Sequence, residues 1–318
     1  MQFGNLIAFL GSAGLAFTAT NGVSAQDYPN RVIRVYASEP GGNSDFNARL
    51  IAQGLSSALG QSVVVDNRGT IAAAVAAAKA PPDGYSLLAL GSSLWLAPLT
   101  RKMPYDPVTD FAPITSTTKS PNVLVLHPSV PVKSVAELIA LAKSRPGALN
   151  YSTSIAGTSS HLCAELFKSL TRVNMVGISY KGPASAHTAL LSGEVHLSFG
   201  GATIVMPHLK SARLRALAVS STEPSALFPG LPTVATTIPG FEFKEKQGSW
   251  APAGTPAAII NRLNQEIVRY LNRADVREKL LNTGAEADPV TPEQFSASIR
   301  TEMIRMGKLI KDAGIQAE

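Results

Sequence analysis

Two stretches of this 318-residue chain concentrate groups that can hold a small anion. The first is Ser38-Glu39-Pro40-Gly41-Gly42-Asn43-Ser44-Asp45. The second runs from Ser152 to Ser160 and carries six hydroxyl side chains in nine residues. Glycines let a ligand approach the backbone. A helix starting just after such a turn offers unpaired N–H groups and a partial positive charge. That is a carboxylate site in outline. An ordinary strand-to-helix turn explains the first stretch equally well. The second has more donor capacity than a connecting turn needs.

The flanking residues predict the elements that position both stretches. Ile33, Val35 and Ala37 alternate with Arg34 and Tyr36, a period of two for a half-buried strand. Phe46, Leu50, Ile51 and Leu55 then fall on one helical face, with Ser44 and Asp45 at its start. Leu149 to Leu170 repeats the form, with Leu162, Leu166, Phe167 and Leu170 on one face. Two such units place two helix N-termini on opposite walls of one cleft. Further strands are expected at 62–66 and 85–90, with an alanine-rich helix over 71–80 between them. Strands alternating with helices imply a parallel sheet whose crevice lies at the strands' carboxyl ends. The loops at 39–45, 67–71 and 91–94, the last holding Ser92 and Ser93, should share that edge. Two short strands, Phe111 to Thr117 and Asn122 to His127, flank a domain crossing, and Glu242 to Trp250 returns from it. Beyond Thr255-Pro256, Ile259, Ile260, Leu263, Ile267 and Leu271 line one helix face.

Composition narrows the class. The chain is 45% apolar and 16% charged, so it can bury a sizeable core. Its net charge of +6 is scattered, with no basic run interleaved with aromatics, which argues against a nucleic-acid partner. Leu6 to Phe17 is an apolar segment too short to span a bilayer, and Val23-Ser24-Ala25 fits a small-residue cleavage site. Residues 1–25 therefore read as an export signal, although no Lys or Arg precedes the apolar core. No later apolar run has membrane length. The single cysteine, Cys163, has no internal disulfide partner and reads as a buried small residue.

Catalysis is weakly supported. Ser160 and His161 are sequence neighbours, which on a helix do not face each other. There is no G-x-S-x-G elbow, phosphate-binding loop or G-x-G-x-x-G turn. His127, His187, His196 and His208 lack metal-ligand spacing. Lys181, before Gly182-Pro183, is a Schiff-base lysine or, in the blander reading, a solvated turn residue. No catalytic residue, metal or cofactor is expected.

A set of local motifs, in order along nearly the whole mature length, resembles the Bug or TctC-like receptors of tripartite tricarboxylate transporters. They include Tyr28-Pro29, Pro40-Gly41-Gly42 with Asp45 and Arg49, Asp66-Asn67-Arg68 and Pro82-Asp83-Gly84-Tyr85. Gly157-Thr158-Ser159-Ser160-His161 with Glu165-Leu166-Phe167, Tyr180-Lys181-Gly182, Leu231-Pro232-Thr233-Val234 and Ala251-Pro252-Ala253-Gly254-Thr255-Pro256 follow. The resemblance implies an α/β, two-domain type II periplasmic binding protein fold with two connecting strands. Domain I would comprise 26–120 and 248–318, and domain II 121–247. It implies a monomeric receptor that takes a small organic acid, amino acid or amide and hands it to membrane transporter subunits. A sensor docking on a histidine kinase uses the same fold; a hydrolase is the remaining alternative. The implied carboxylate site uses backbone N–H groups, hydroxyls and waters from loops matching 40–45 and 154–159. The expected ligand-binding set is Ser38, Glu39, Pro40, Gly41, Gly42, Asn43, Ser44, Asp45, Ser92, Ser93, Ser154, Ala156, Gly157, Thr158, Ser159, His161, Lys181 and Gly200. The chain departs from the family pattern in a shorter loop at Gly69-Thr70-Ile71. It also has Gly200 where relatives often carry an acid, and Ser38-Glu39 before the glycine turn.

Glu39 bears on ligand choice. A carboxylate about 4 Å from a ligand anion, at an effective dielectric of about 20, opposes it by on the order of 4 kcal/mol before screening. If Glu39 faces the cleft, the ligand carries at most one net negative charge, with its polar or cationic end toward Glu39. The alternative is a solvated rim residue. Processing is tested separately: intact-mass analysis of periplasmic extract should find a mature N-terminus at Gln26, and soluble protein retaining Met1 would contradict export.

Overall fold

The computed structural model describes Met1, residues 28–154 and residues 157–312. The expected signal and its cleavage site lie outside the described residues. The chain opens with strand β1, Ile33–Ala37. Helix α1, Asn43–Leu59, strand β2, Val63–Asn67, helix α2, Thr70–Ala78, and strand β3, Ser86–Gly91, follow. The three strands are parallel in the order β2-β1-β3, so the loops after them meet at one edge. That is the edge the alternation predicted. Apolar residues of α1 and β1 pack together as one core, with Ile33, Val35, Leu50, Ile51 and Leu55 all buried.

A short helix α3, Ser93–Leu96, leads through a loop to strand β4, Phe111–Leu126. The sequence predicts two short strands here, Phe111 to Thr117 and Asn122 to His127. Lys119-Ser120-Pro121 looks like a break, yet Ser120 and Pro121 stay paired with the returning strand. Register shifts at Pro113/Thr115 and Ser116/Thr118 bend one continuous strand instead of ending it. The second lobe adds helix α4, Val135–Ser144, strand β5, Asn150–Thr153, helix α5, Ser159–Thr171, and strand β6, Val176–Ser179. Helix α6, Pro183–Ser192, strand β7, Leu197–Gly201, helix α7, Ala202–Lys210, and strand β8, Arg215–Val219, complete it. Leu162, Cys163, Leu166 and Phe167 are buried on α5 as expected, whereas Leu170 is exposed.

Strand β9, Lys244–Pro252, then returns beside β4. From Phe111 to Pro121, β4 pairs with β9; from Asn122 to Leu126 it pairs with β7 and β8. Two adjacent antiparallel strands therefore connect the lobes. Helix α8, Ala257–Leu271, helix α9, Ala274–Thr283, strand β10, Glu286–Ala287, and helix α10, Pro292–Asp312, follow. Buried Ile259, Ile260, Leu263, Ile267 and Leu271 confirm the predicted face of α8. Its N-cap is Pro256, and the preceding Thr255 donates its Oγ1 hydroxyl to Pro252 O at 2.7 Å.

The connecting strands are braced from both sides. Asn47 of α1 donates to Gly248 O on β9 at 3.2 Å and accepts from Thr117 Oγ1 on β4 at 2.6 Å. On the other side, the Trp250 ring lies 5.1 Å from that of Phe295 on α10 and 5.8 Å from Trp95. Aromatic clusters of this kind add to area burial through ring-edge contacts. Phe295 is fully buried, so Phe295→Ala should cost roughly 3–5 kcal/mol. Urea unfolding would read this as a lower midpoint; a loss under about 1 kcal/mol would show that α10 does not brace the hinge.

Candidate ligand-binding cleft

Each wall of the cleft is a strand-to-helix turn. In the β1–α1 turn, Gly41 adopts φ +82°, a left-handed conformation that side chains disfavour. Asp45 holds this turn from behind. Its Oδ2 accepts from Gly41 N at 3.0 Å, and its Oδ1 accepts from Asn67 Nδ2 at 2.9 Å and meets Arg49 Nε at 2.9 Å. Burial pushes the Asp45 carboxyl up, but hydrogen bonds from Arg49, Gly41 and Asn67 outweigh it and hold the group below its usual range. Asp45 therefore shapes the wall without lining the cavity.

The β5–α5 turn is built the same way. Gly157 has φ +81°, and a Cβ there would fall 2.4 Å from Ala97 Cα in the first lobe. Only glycine permits that approach. His161 Nδ1 accepts from Gly157 N at 3.2 Å, so His161 supports the turn. Higher up, a Cβ on Gly42 would lie 3.1 Å from Pro183 Cγ, so the lobes touch there too.

Between these contacts is a cavity of about 90 Å³. Ser38, Asn43, Ser44, Ser93, Ser154, Thr158, Ser159 and Gly200 of the expected set line it. Pro40, Gly41 and Gly42 form the turn around it. Ser92 instead bonds the backbone of Lys246, at 3.0 Å to its N–H. Lys181 is exposed and away from the lining, and Ala156 lies outside the described residues. Glu39 sits between Gly69 and Gly182 at the junction of the lobes, not in the lining. A Cβ on Gly69 would be 3.3 Å from its Oε1, and one on Gly182 3.6 Å from its Cδ.

The sequence reading missed several lining residues. Thr70 at the start of α2, Ser152, His187, Ser198 and Glu245 are among them. Ser152 stood in the hydroxyl-rich stretch. Glu245 was hidden between Lys244 and Lys246, in a run that reads as a solvated strand. Its signal was its place on the strand returning through the cleft.

Glu245 is the centre of the cavity's polar network. Its Oε2 accepts from Asn43 Nδ2 at 3.0 Å and from Ser159 Oγ at 3.1 Å; its Oε1 accepts from Gln247 Nε2 at 2.7 Å. Ser44 Oγ donates to Gln247 Oε1 at 3.1 Å, and Thr203 Oγ1 donates to Asn43 Oδ1. Burial raises the Glu245 carboxyl pKa, opposed by the hydrogen bonds from Asn43, Ser159 and Gln247. The starts of α1, α2, α5, α6 and α7 all reach the cavity through Asn43, Thr70, Ser159, Pro183 and Gly201. First-turn N–H groups have no intrahelical partner and carry partial positive charge, so the walls favour anions.

His187 lies at the second lobe's end of the cavity, 8% exposed, with its ring 4.8 Å from that of His208. Burial, and then the positive fields of His208 and Arg213, push its pKa down to about 4. The cavity thus presents hydroxyls, helix ends, one carboxylate and an uncharged imidazole, with no Lys or Arg among the described lining residues. Among the described residues no His, Cys, Asp and Glu group could hold a metal ion, and no helix is long and apolar enough to cross a membrane.

Comparisons with known proteins place this geometry. The sequence model of the tripartite tricarboxylate transporter family receptor matches residues 47–315. The chain is 36% identical over 314 residues to Protein BugT of Bordetella pertussis, covering 96% of this chain and 95% of that one. The solved structure of R. palustris Rpa4515 with adipate superposes with a TM-score of 0.88 at 35% identity, covering 91% of this chain and 99% of the other. MatC from Rhodopseudomonas palustris with bound malate gives 0.84 at 28% identity, covering 89% and 100%.

The buried imidazole predicts a pH dependence. His187 has a folded pKa below its unfolded value of about 6.5, so the unfolded chain binds more protons between the two. Its contribution to stability is complete above about 6.5 and is lost as the pH falls toward about 4. Between about pH 7 and 4.5 the loss should be on the order of 2 kcal/mol, and His187→Asn should remove that part. Urea titrations at the two pH values check it; an unaltered pH dependence in the variant would contradict it.

Proposed function

The chain belongs to the tripartite tricarboxylate transporter receptor family, and on that premise we propose that it is a periplasmic solute receptor. It captures a small carboxylate-bearing ligand in the cleft between its lobes and delivers it to a tripartite tricarboxylate-type membrane transporter. It acts as an exported monomer and releases its ligand chemically unchanged. The first lobe corresponds to 26–120 with 248–318 and the second to 121–247.

One observation carries this reading. Helix starts from both lobes open into a single hydroxyl-lined cavity that has no cationic side chain among its described lining residues. Such a site recognises an anion through backbone dipoles, hydroxyls and bridging water. The relatives solved with adipate and malate bind small carboxylates on the same fold. The two connecting strands let the lobes part and close around a ligand, a motion that suits capture and handover.

The test is a thermal-shift screen of small acids. A bound acid at about a hundred times its dissociation constant should stabilise the protein by roughly 2.7 kcal/mol. Chromatography should recover it unchanged. Ser159→Trp, which fills the cavity from the start of α5, should abolish the shift while the unliganded variant still folds. Binding equal to wild type in that variant would remove the cleft from the account, and consumption of the acid would replace a receptor with an enzyme.

A further inference from the structure

A carboxylate of the protein itself already engages the side chains at the two helix starts where a ligand carboxylate was expected. Glu245 Oε2 accepts hydrogen bonds from Asn43, the first residue of α1, and from Ser159, the first residue of α5. Side chains at the two helix starts read from the sequence as the anion site therefore meet on the protein's own carboxylate. Gln247 holds the other oxygen. This carboxylate is seated, not stray. It sits on a connecting strand, gripped by donors from both lobes, and a Cβ on Gly201 would come within 3.3 Å of Oε2.

The rest of the cavity offers a different set of groups. Ser152 Oγ and His187 Nε2 are buried without a hydrogen-bond partner, on residues 1% and 8% exposed, and both residues line the cavity. A buried polar atom left unpaired costs about 1–3 kcal/mol, so these two await a polar ligand atom or water. The imidazole adds no charge to offset Glu245, so a ligand carboxylate beside Glu245 would meet a second carboxylate with hydrogen bonds but no cation to screen it. The cavity of about 90 Å³ suits a small ligand.

The geometry points to Glu245 as the specificity-determining residue of this cleft, selecting a small monocarboxylate that carries an ammonium or amide donor. The donor faces Glu245 and the ligand carboxylate lies toward the second lobe's wall, at Ser152 and His187. Small dicarboxylates are excluded by repulsion. The inference rests on the receptor reading and fixes its substrate class. It places at Glu245 the selective role that Glu39 would have had if it faced the cleft; the structure seats Glu39 outside the lining.

The test uses the full mature chain, with calorimetry on matched pairs: β-alanine against malonate, γ-aminobutyrate against succinate, and the small α-amino acids against malate. Wild type should prefer the amine-bearing member. Glu245→Gln should weaken that member by roughly tenfold or more and strengthen the dicarboxylate. Glu245→Asp should keep the preference with weaker binding, which separates charge from folding effects. Tighter dicarboxylate binding by wild type, unchanged in Glu245→Gln, would overturn the inference and leave the carboxylate receptor standing. No heat or thermal shift from any acid would overturn both.

Discussion

The arrangement turns on one carboxylate. Drawing a carboxylate partly out of water is costly unless its lone pairs are met. Glu245 meets that cost with hydrogen bonds from Asn43, Ser159 and Gln247, none of them cationic. One donor belongs to each lobe and the third to the connecting strand. The electrostatic requirement of a single side chain therefore fixes how the two walls stand to each other. Parting the lobes would strip Asn43 or Ser159 from the carboxylate and let water in to replace them.

Everything that positions those donors traces back to local sequence. The period-two residues of β1 bury the strand, and the glycine turn lets α1 begin with Asn43 at the cavity. Asp45 holds that turn by accepting from its backbone, and Asn47, two residues on, ties α1 to both connecting strands. On the far side Trp95 and Phe295 pack on Trp250 of the returning strand that carries Glu245. In the second lobe, Gly157 allows the contact with Ala97 that brings Ser159 within reach. The site is thus a consequence of two turns and one braced strand.

The fold was largely legible because it is written in periodicity. Alternation gave β1, helical spacing gave the buried faces of α1, α5 and α8, and the parallel strands put three loops on one edge. The continuous β4 was not legible, because a Lys-Ser-Pro run reads as a break while the bulges that keep it paired depend on its neighbour. In the site, the hydroxyls announced themselves by density. Asp45 and His161 had the composition of ligand contacts but serve the turns, a distinction that only hydrogen-bond geometry reveals. Glu245 was the hardest to see. A glutamate between two lysines looks solvated, and its burial comes from tertiary closure.

Glu245 should keep its place when the cleft is filled. A crystal structure of the protein purified without dialysis, with its co-purified small acid, tests it most directly. Glu245 should still be bonded to Asn43 and Ser159, with an ammonium or amide nitrogen of the ligand within hydrogen-bond distance of its carboxylate. A ligand carboxylate lying between Asn43 and Ser159, with the Glu245 side chain swung out of the cavity, would contradict it.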